Sequence, residues 1–210
     1  MPTALVLIWL YRFICTIILC VVFQVGVLRK EKQFSLKHFL WVYVFLFYLT
    51  LVYMITGTGS IWSIGNYETL FRMSEINLHL FDSEGMTTYI LNIILFVPLG
   101  FLLPTIWSLF RSLKKVACTG LFFSLAIELS QLLNSRITDI DDLLMNTLGA
   151  VVGYLIYRVL FVMVLKRGEI KTDSKSPLVV KYEPVFYLVC SFMGMILFYY
   201  QNLIFYILFR

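Results

Sequence analysis

Six long apolar runs take up most of this 210-residue chain, and they limit its fold more tightly than anything else in it. They cover residues 4–28, 39–55, 89–110, 116–134, 143–165 and 185–208. A helix needs about 20 predominantly apolar residues to cross a bilayer. Inside hydrocarbon, only helices and closed barrels satisfy every backbone N–H and C=O. Hydrophobic residues make up 60% of the chain and charged residues 14%, with a mean hydropathy of +0.88. About a quarter of the residues of a soluble domain are charged. The expectation is an all-α polytopic membrane protein with about six transmembrane helices in one bundle. The fourth run is the weakest, because it contains Glu128 and Gln131. No interval between the runs has room for a separate soluble domain.

Orientation follows from the basic residues, which concentrate in cytoplasmic loops. The first loop carries Arg29, Lys30, Lys32 and Lys37, and the third carries Arg111, Lys114 and Lys115. The fifth carries Lys166, Arg167, Lys171, Lys175 and Lys181. The second and fourth have one each, Arg72 and Arg136, so twelve basic residues face two across the membrane. Loops one, three and five are expected inside and both termini outside. The net charge of +5 is then a topology signal and excludes a nucleic-acid partner. The first run lacks a basic leader and a small-residue cleavage site, so it reads as an uncleaved anchor.

The second loop is more than a linker. Residues 66–81 mix Tyr67, Leu70, Phe71, Ile76, Leu78, Leu80 and Phe81 with Glu68, Arg72, Glu75 and Asn77. That pattern suits an outer interfacial segment, a short helix followed by an extended stretch. Cys15, Cys20, Cys118 and Cys190 lie inside apolar runs without ligand spacing, and read as buried hydrophobic thiols. His38 and His79 are isolated, so no metal centre is expected.

Polar residues inside the apolar runs gather at the outer side. Asp139, Asp142, Asn146, Gly149 and Gly153 follow one another at spacings of 3, 4, 3 and 4, which is one face of a helix. Gly149 and Gly153 form a GxxxG pattern that lets a second helix approach closely. Glu128 and Gln131 share a face of the fourth run, and Glu128 lies roughly 9 Å below its outer end at 1.5 Å per residue. Arg136 is the nearest cation in sequence and Arg12, deep in the first run, a second. Asn92 shares a face of the third run with Phe96 and Gly100, and Pro98 and Pro104 interrupt that run's hydrogen-bond ladder. Asn92, Glu128, Gln131, Arg136, Asp139, Asp142 and Asn146 thus form the candidate ligand site. Asp141 falls on another face and reads as a solvated neighbour. The plainer alternative, helix capping by Asp139 or Asp141 plus ion pairing through Arg136, accounts for two or three of the seven.

Three segments resemble the VanZ family. One is Asn92-Ile-Ile-Leu-Phe-Val-Pro-Leu-Gly-Phe-Leu-Leu-Pro104, similar to that family's Asn-x-x-x-Phe-x-Pro-x-Gly helix. The second is Glu128-Leu-Ser-Gln131 followed by Arg136-Ile-Thr-Asp139-Ile-Asp-Asp142, and the third is Asn146-Thr-Leu-Gly149 with Gly153. The stretch Ile76-Asn77-Leu78-His79-Leu80-Phe81 looks like the family's Asn-Leu-x-Pro-Phe, with Leu80 in place of the proline. The resemblance divides the chain into an N-terminal helix and cytoplasmic loop (1–38), a four-helix core (39–165) with an outer interfacial segment at 57–88, and a loop with a last helix (166–210). It implies low-level resistance to teicoplanin-type lipoglycopeptides at the cytoplasmic membrane of a Gram-positive cell. Teicoplanin carries an acyl tail, and its target is a lipid-linked peptidoglycan precursor. The implied partners are therefore the bilayer and an amphipathic envelope ligand bound in an outward-facing polar cavity. Arg136 would meet a carboxylate or phosphate, and Asp139 and Asp142 an amine.

Two rivals stand beside this reading. An enzyme acting on a lipid-linked envelope component would use Glu128 as general acid or base, with Asp139 and Asp142 holding Mg²⁺ or Ca²⁺. No nucleophile–base pair accompanies them, and under the binding reading no cofactor is expected. A transporter would need a polar path, and the inner halves of the runs are nearly free of charge.

The charge asymmetry has a direct consequence. With the four native cysteines replaced, an impermeant thiol reagent applied to intact cells is expected to label a cysteine at Ser135 and not one at Ser174. The reverse pattern inverts the topology.

Overall fold

The computed structural model describes residues 2–26, 35–64, 76–77, 81, 85–134, 138–164, 178–200 and 203. Its helices are α1 (Pro2–Gly26), α2 (Leu36–Thr56), α3 (Met86–Ile106), α4 (Leu113–Gln131), α5 (Ile140–Tyr157), α6 (Leu178–Lys181) and α7 (Glu183–Phe198). α5 continues as a π-helix over Arg158–Val164. Two-residue strands β1 (Ile76–Asn77) and β2 (Thr138–Asp139) pair in parallel.

Most helices begin about three residues before the apolar runs do, and side-chain caps set the starts of α2 and α5. Ser35 accepts from the His38 N–H to open α2, and Asp139 accepts from the Asp141 N–H to open α5. Each cap satisfies one of the N–H groups that a helix start leaves without an intrahelical partner. At the other end of α2, Gly57 has φ 67°, a left-handed turn that suits glycine, and its N–H bonds back to Tyr53. α3 keeps both prolines and stays continuous.

Four segments, Val6–Gly26, Leu36–Ser63, Met86–Ile106 and Ile140–Phe161, are long and apolar enough to cross a membrane. α4 carries Lys114, Lys115, Glu128 and Gln131 near its ends, and the 16 residues of α7 span about 24 Å at 1.5 Å per residue. α7 stops at Phe198, well before the apolar run does. Its last-turn carbonyls find side-chain donors: Trp62 Nε1 donates to Leu197 O at 2.9 Å and the Tyr11 hydroxyl to Phe198 O at 2.7 Å. Large apolar residues such as Leu40, Leu91 and Phe122 stand exposed on the outside of the bundle, as a lipid-facing surface requires. Cys15 and Cys20 are buried as expected, whereas Cys118 is exposed.

α3 and α5 form the most extensive helix pair. A Cβ added at Gly149 would overlap the backbone carbonyl of Ile93, one at Gly153 that of Val97, and one at Gly100 that of Ala150. Glycines on both helices therefore bring the two backbones into direct contact, which is the packing the GxxxG spacing predicts. α4 closes on the same pair through Gly120, whose missing Cβ makes room for the Ala150 methyl. Gly194 plays the same part where α7 crosses α1 at the Cys15 carbonyl.

The end of the bundle opposite the candidate site has its own polar tie. Glu183 is 1% exposed, and its two oxygens lie 2.9 and 3.0 Å from His38 Nε2. Trp107 Nε1 donates to the same carboxylate at 2.8 Å. This links the starts of α2 and α7 to the residue that ends α3.

Gly149→Leu is expected to lower thermal stability in detergent by about 1–3 kcal/mol, the usual cost of overpacking, and to reduce membrane levels. Gly26→Ala, which meets nothing within 4 Å, should leave stability unchanged. Equal stability of the two variants would disprove the α3–α5 contact.

Candidate functional site

The polar residues sit where the start of α3, the end of α4 and the start of α5 meet. Asn92 Nδ2 donates to Asp142 Oδ1 across the α3–α5 contact. Two turns along α5, Gly149 rests on the carbonyl of Ile93, the residue next to Asn92, so the close backbone approach sets the distance between the two side chains. Glu128, 3% exposed, accepts from the Asp139 N–H at 3.2 Å through Oε2. Asn146, 2% exposed, donates to the Ser124 hydroxyl at 2.9 Å, which joins α5 to α4 a turn deeper.

Asp139 and Asp141 organise the mouth. Asp139 uses Oδ1 to cap the Asp141 N–H at 2.9 Å and Oδ2 to accept from Asn77 Nδ2 at 3.0 Å. The Asn77 contact accompanies the parallel pairing of Ile76 with Thr138 and Asn77 with Asp139. Asp141 is fully buried, which corrects its reading as a solvated neighbour. Its Oδ2 accepts from the Phe81 N–H and from the Tyr89 hydroxyl, both at 2.8 Å. Phe81 has φ 63°, a left-handed conformation uncommon outside glycine, and its ring meets Tyr89 edge-on. Such a conformation costs about 1–3 kcal/mol and persists only where the surroundings hold it. Here the bond to Asp141 holds it. The expected extended stretch of the second loop is thus present at Ile76–Asn77 and is fastened to the start of α5. Residues 66–75 and 78–80 lie outside the described residues.

Gln131 takes a different direction. Its Nε2 donates to Thr56 O at 2.8 Å, beside the Asn134 Nδ2 bond to Gly57 O at 2.6 Å, so it ties α4 to the end of α2. Arg136 lies outside the described residues. Arg12 is not joined to Glu128: its Nη2 donates to the Tyr199 hydroxyl at 2.7 Å.

Asp141 Oδ1, Asn146 Oδ1 and Gln131 Oε1 are buried with no hydrogen-bond partner among the described residues. Leaving a buried acceptor unmet costs about 1–3 kcal/mol. All three are oxygens that can only accept, so what completes them must bring donors. Among the described residues, no group of three or more His, Cys, Asp or Glu side chains is placed to hold a metal ion.

The sequence signal for Asp141 was its place in the first turn of α5, where an acidic group favours the helix dipole. No local signal marks the Phe81 backbone as its partner.

Long apolar helices with exposed apolar flanks make this a helical membrane protein. The chain belongs to the VanZ family: the VanZ/LLP1 family model matches residues 45–162, more than half of its length. No curated protein and no solved structure matches the chain.

Proposed function

We propose that this chain is a six-span protein of the cell membrane, with both termini outside, that binds an amphipathic envelope ligand at its outer polar end. In a Gram-positive cell this binding confers low-level resistance to teicoplanin-type lipoglycopeptides. The observation that carries the reading is the pairing of half-buried Asn92 and Asp142 close to the buried, partly unmet oxygens of Asp141 and Asn146 on the same helix as Asp142. Asn92 and Asp142 are the members within a ligand's reach. Glu128, Asp139, Asp141 and Asn146 are buried around them and fix their positions. A headgroup rich in donors, above all an amine, complements such a surface. Arg136 supplies the complementary cation for a carboxylate or phosphate.

An apolar groove supports the second half of an amphipathic ligand. It lies between α4 and α7, has a volume of about 300 Å³, and is lined by Phe122 and Ala126 on one side and Val185, Val189 and Phe192 on the other. Its chemistry suits an acyl chain. α4 contributes to both regions, with Ala126 in the groove and Glu128 under the polar mouth.

Teicoplanin and vancomycin susceptibility, measured in a susceptible Gram-positive host with and without expression of this chain, tests the reading. Asp142→Asn removes a charge but keeps an oxygen able to accept from Asn92. It should reach the membrane at normal levels and abolish the teicoplanin protection. Asp141→Ala makes the opposite case, because it strips the partner of Phe81 and Tyr89, and it should lower protein level and protection together. Full protection by Asp142→Asn at normal protein level would remove the aspartate from the ligand site.

A further inference from the structure

Arg12 is a cation in the N-terminal half of the apolar helix α1, and its only partner among the described residues is neutral. Nε and Nη2 both donate to the Tyr199 hydroxyl, at 3.1 and 2.7 Å. The guanidinium carbon lies 4.7 Å from the centroid of the same ring, within the range of a cation–π contact. A guanidinium has five N–H donors, so three remain uncommitted among the described residues. The Tyr199 hydroxyl accepts twice here, which leaves its own proton free to donate. The site therefore presents donors and a positive charge, with no acceptor of its own. A charge kept in a membrane helix with no counter-ion among the described residues is costly and marks a functional position.

Its surroundings place it at a membrane–water boundary. Tyr11 donates to Phe198 O at 2.7 Å and accepts from the Tyr200 N–H at 2.8 Å, which fixes the point where α7 ends. Tyr11 and Tyr199 have ring centroids 5.7 Å apart, and Trp62 and Tyr200 are 5.8 Å apart. Tyr and Trp concentrate at the headgroup level of bilayers. Trp62 follows the end of α2, so this aromatic cluster lies toward the same end of the bundle as the polar site.

We propose that Arg12 and Tyr199 form an anion site, separate from the Asn92–Asp142 mouth, that takes the phosphate of a lipid headgroup. The phosphate lies against the free guanidinium edge and the Tyr199 hydroxyl, while the acyl chains run down the exposed apolar flank of α1, which includes Ile14, Ile18 and Val22. Arg suits this task because its planar fork matches phosphate oxygens. A lipid held here clamps α1 against the end of α7.

Native mass spectrometry of the full chain in detergent tests this with phosphatidylglycerol as probe. Wild type should retain one phosphatidylglycerol and show no retention of diacylglycerol. Arg12→Gln should weaken retention by about tenfold, the scale of one charge-assisted hydrogen bond. Tyr199→Phe, which keeps the ring and loses the hydroxyl, should weaken it less. If Arg12→Gln does not fold, Arg12→Lys and Tyr199→Phe carry the comparison. Undiminished retention in the folded variants, or equal retention of diacylglycerol, overturns the proposal. Displacement of the lipid by millimolar inorganic phosphate assigns the site to the free ion and also overturns it. The readout is independent of drug susceptibility, so it stands or falls separately from the resistance reading.

Discussion

The contact of α3 with α5 is the constraint on which the rest of the polar end depends. At Gly100, Gly149 and Gly153 a Cβ would overlap the facing backbone, and each glycine meets a carbonyl of the facing helix. Hydrocarbon offers no hydrophobic drive between apolar helices, and close van der Waals packing through small residues takes its place. Because the approach is this close, Asn92 and Asp142 can bond directly across it, although each has a short side chain. α4 then docks on the same pair, and brings Glu128 under the Asp139 N–H and Ser124 beside Asn146.

Three sets of polar groups result, with different chemistry. Near the mouth, the unmet oxygens of Asp141 and, a turn deeper, Asn146 call for donors, as does that of Gln131 beside the end of α2. Around the end of α7, the Arg12 guanidinium calls for an acceptor of negative charge. At the opposite end, Glu183 meets His38 and Trp107 and needs nothing further. A polar group kept inside apolar helices demands a partner, and among the described residues the last of these sets finds its partners within the protein.

Much of this was legible in the sequence where the signal is local. The spacing from Asp139 to Gly153 gave one helical face, and the capping role of Asp139 follows from its place before an apolar run. The apolar runs located every long helix to within a few residues at its start. What escaped depends on segments far apart in the chain. Asp141 looked solvent-facing because a helical wheel says nothing about the Asn77 and Phe81 segment that covers it. The partner of Arg12 lies 187 residues away. Gln131 shares its helix face with Glu128 but bonds to the end of α2, a choice made by the neighbouring helix. The end of α7 at Phe198 is set by donors from Trp62 and Tyr11, and hydropathy alone runs past it.

The central claim is that glycine-mediated approach of α3 and α5 brings Asn92 and Asp142 together at one polar mouth. Disulfide trapping in native membranes measures this most directly. With the four native cysteines replaced, the pair Asn92→Cys and Asp142→Cys should cross-link rapidly under mild oxidation, and adding Gly149→Leu should suppress the bond. A control pair, Asn92→Cys with Leu144→Cys on the exposed face of α5, should stay reduced. Failure of the first pair to cross-link while the control pair does so would contradict the account.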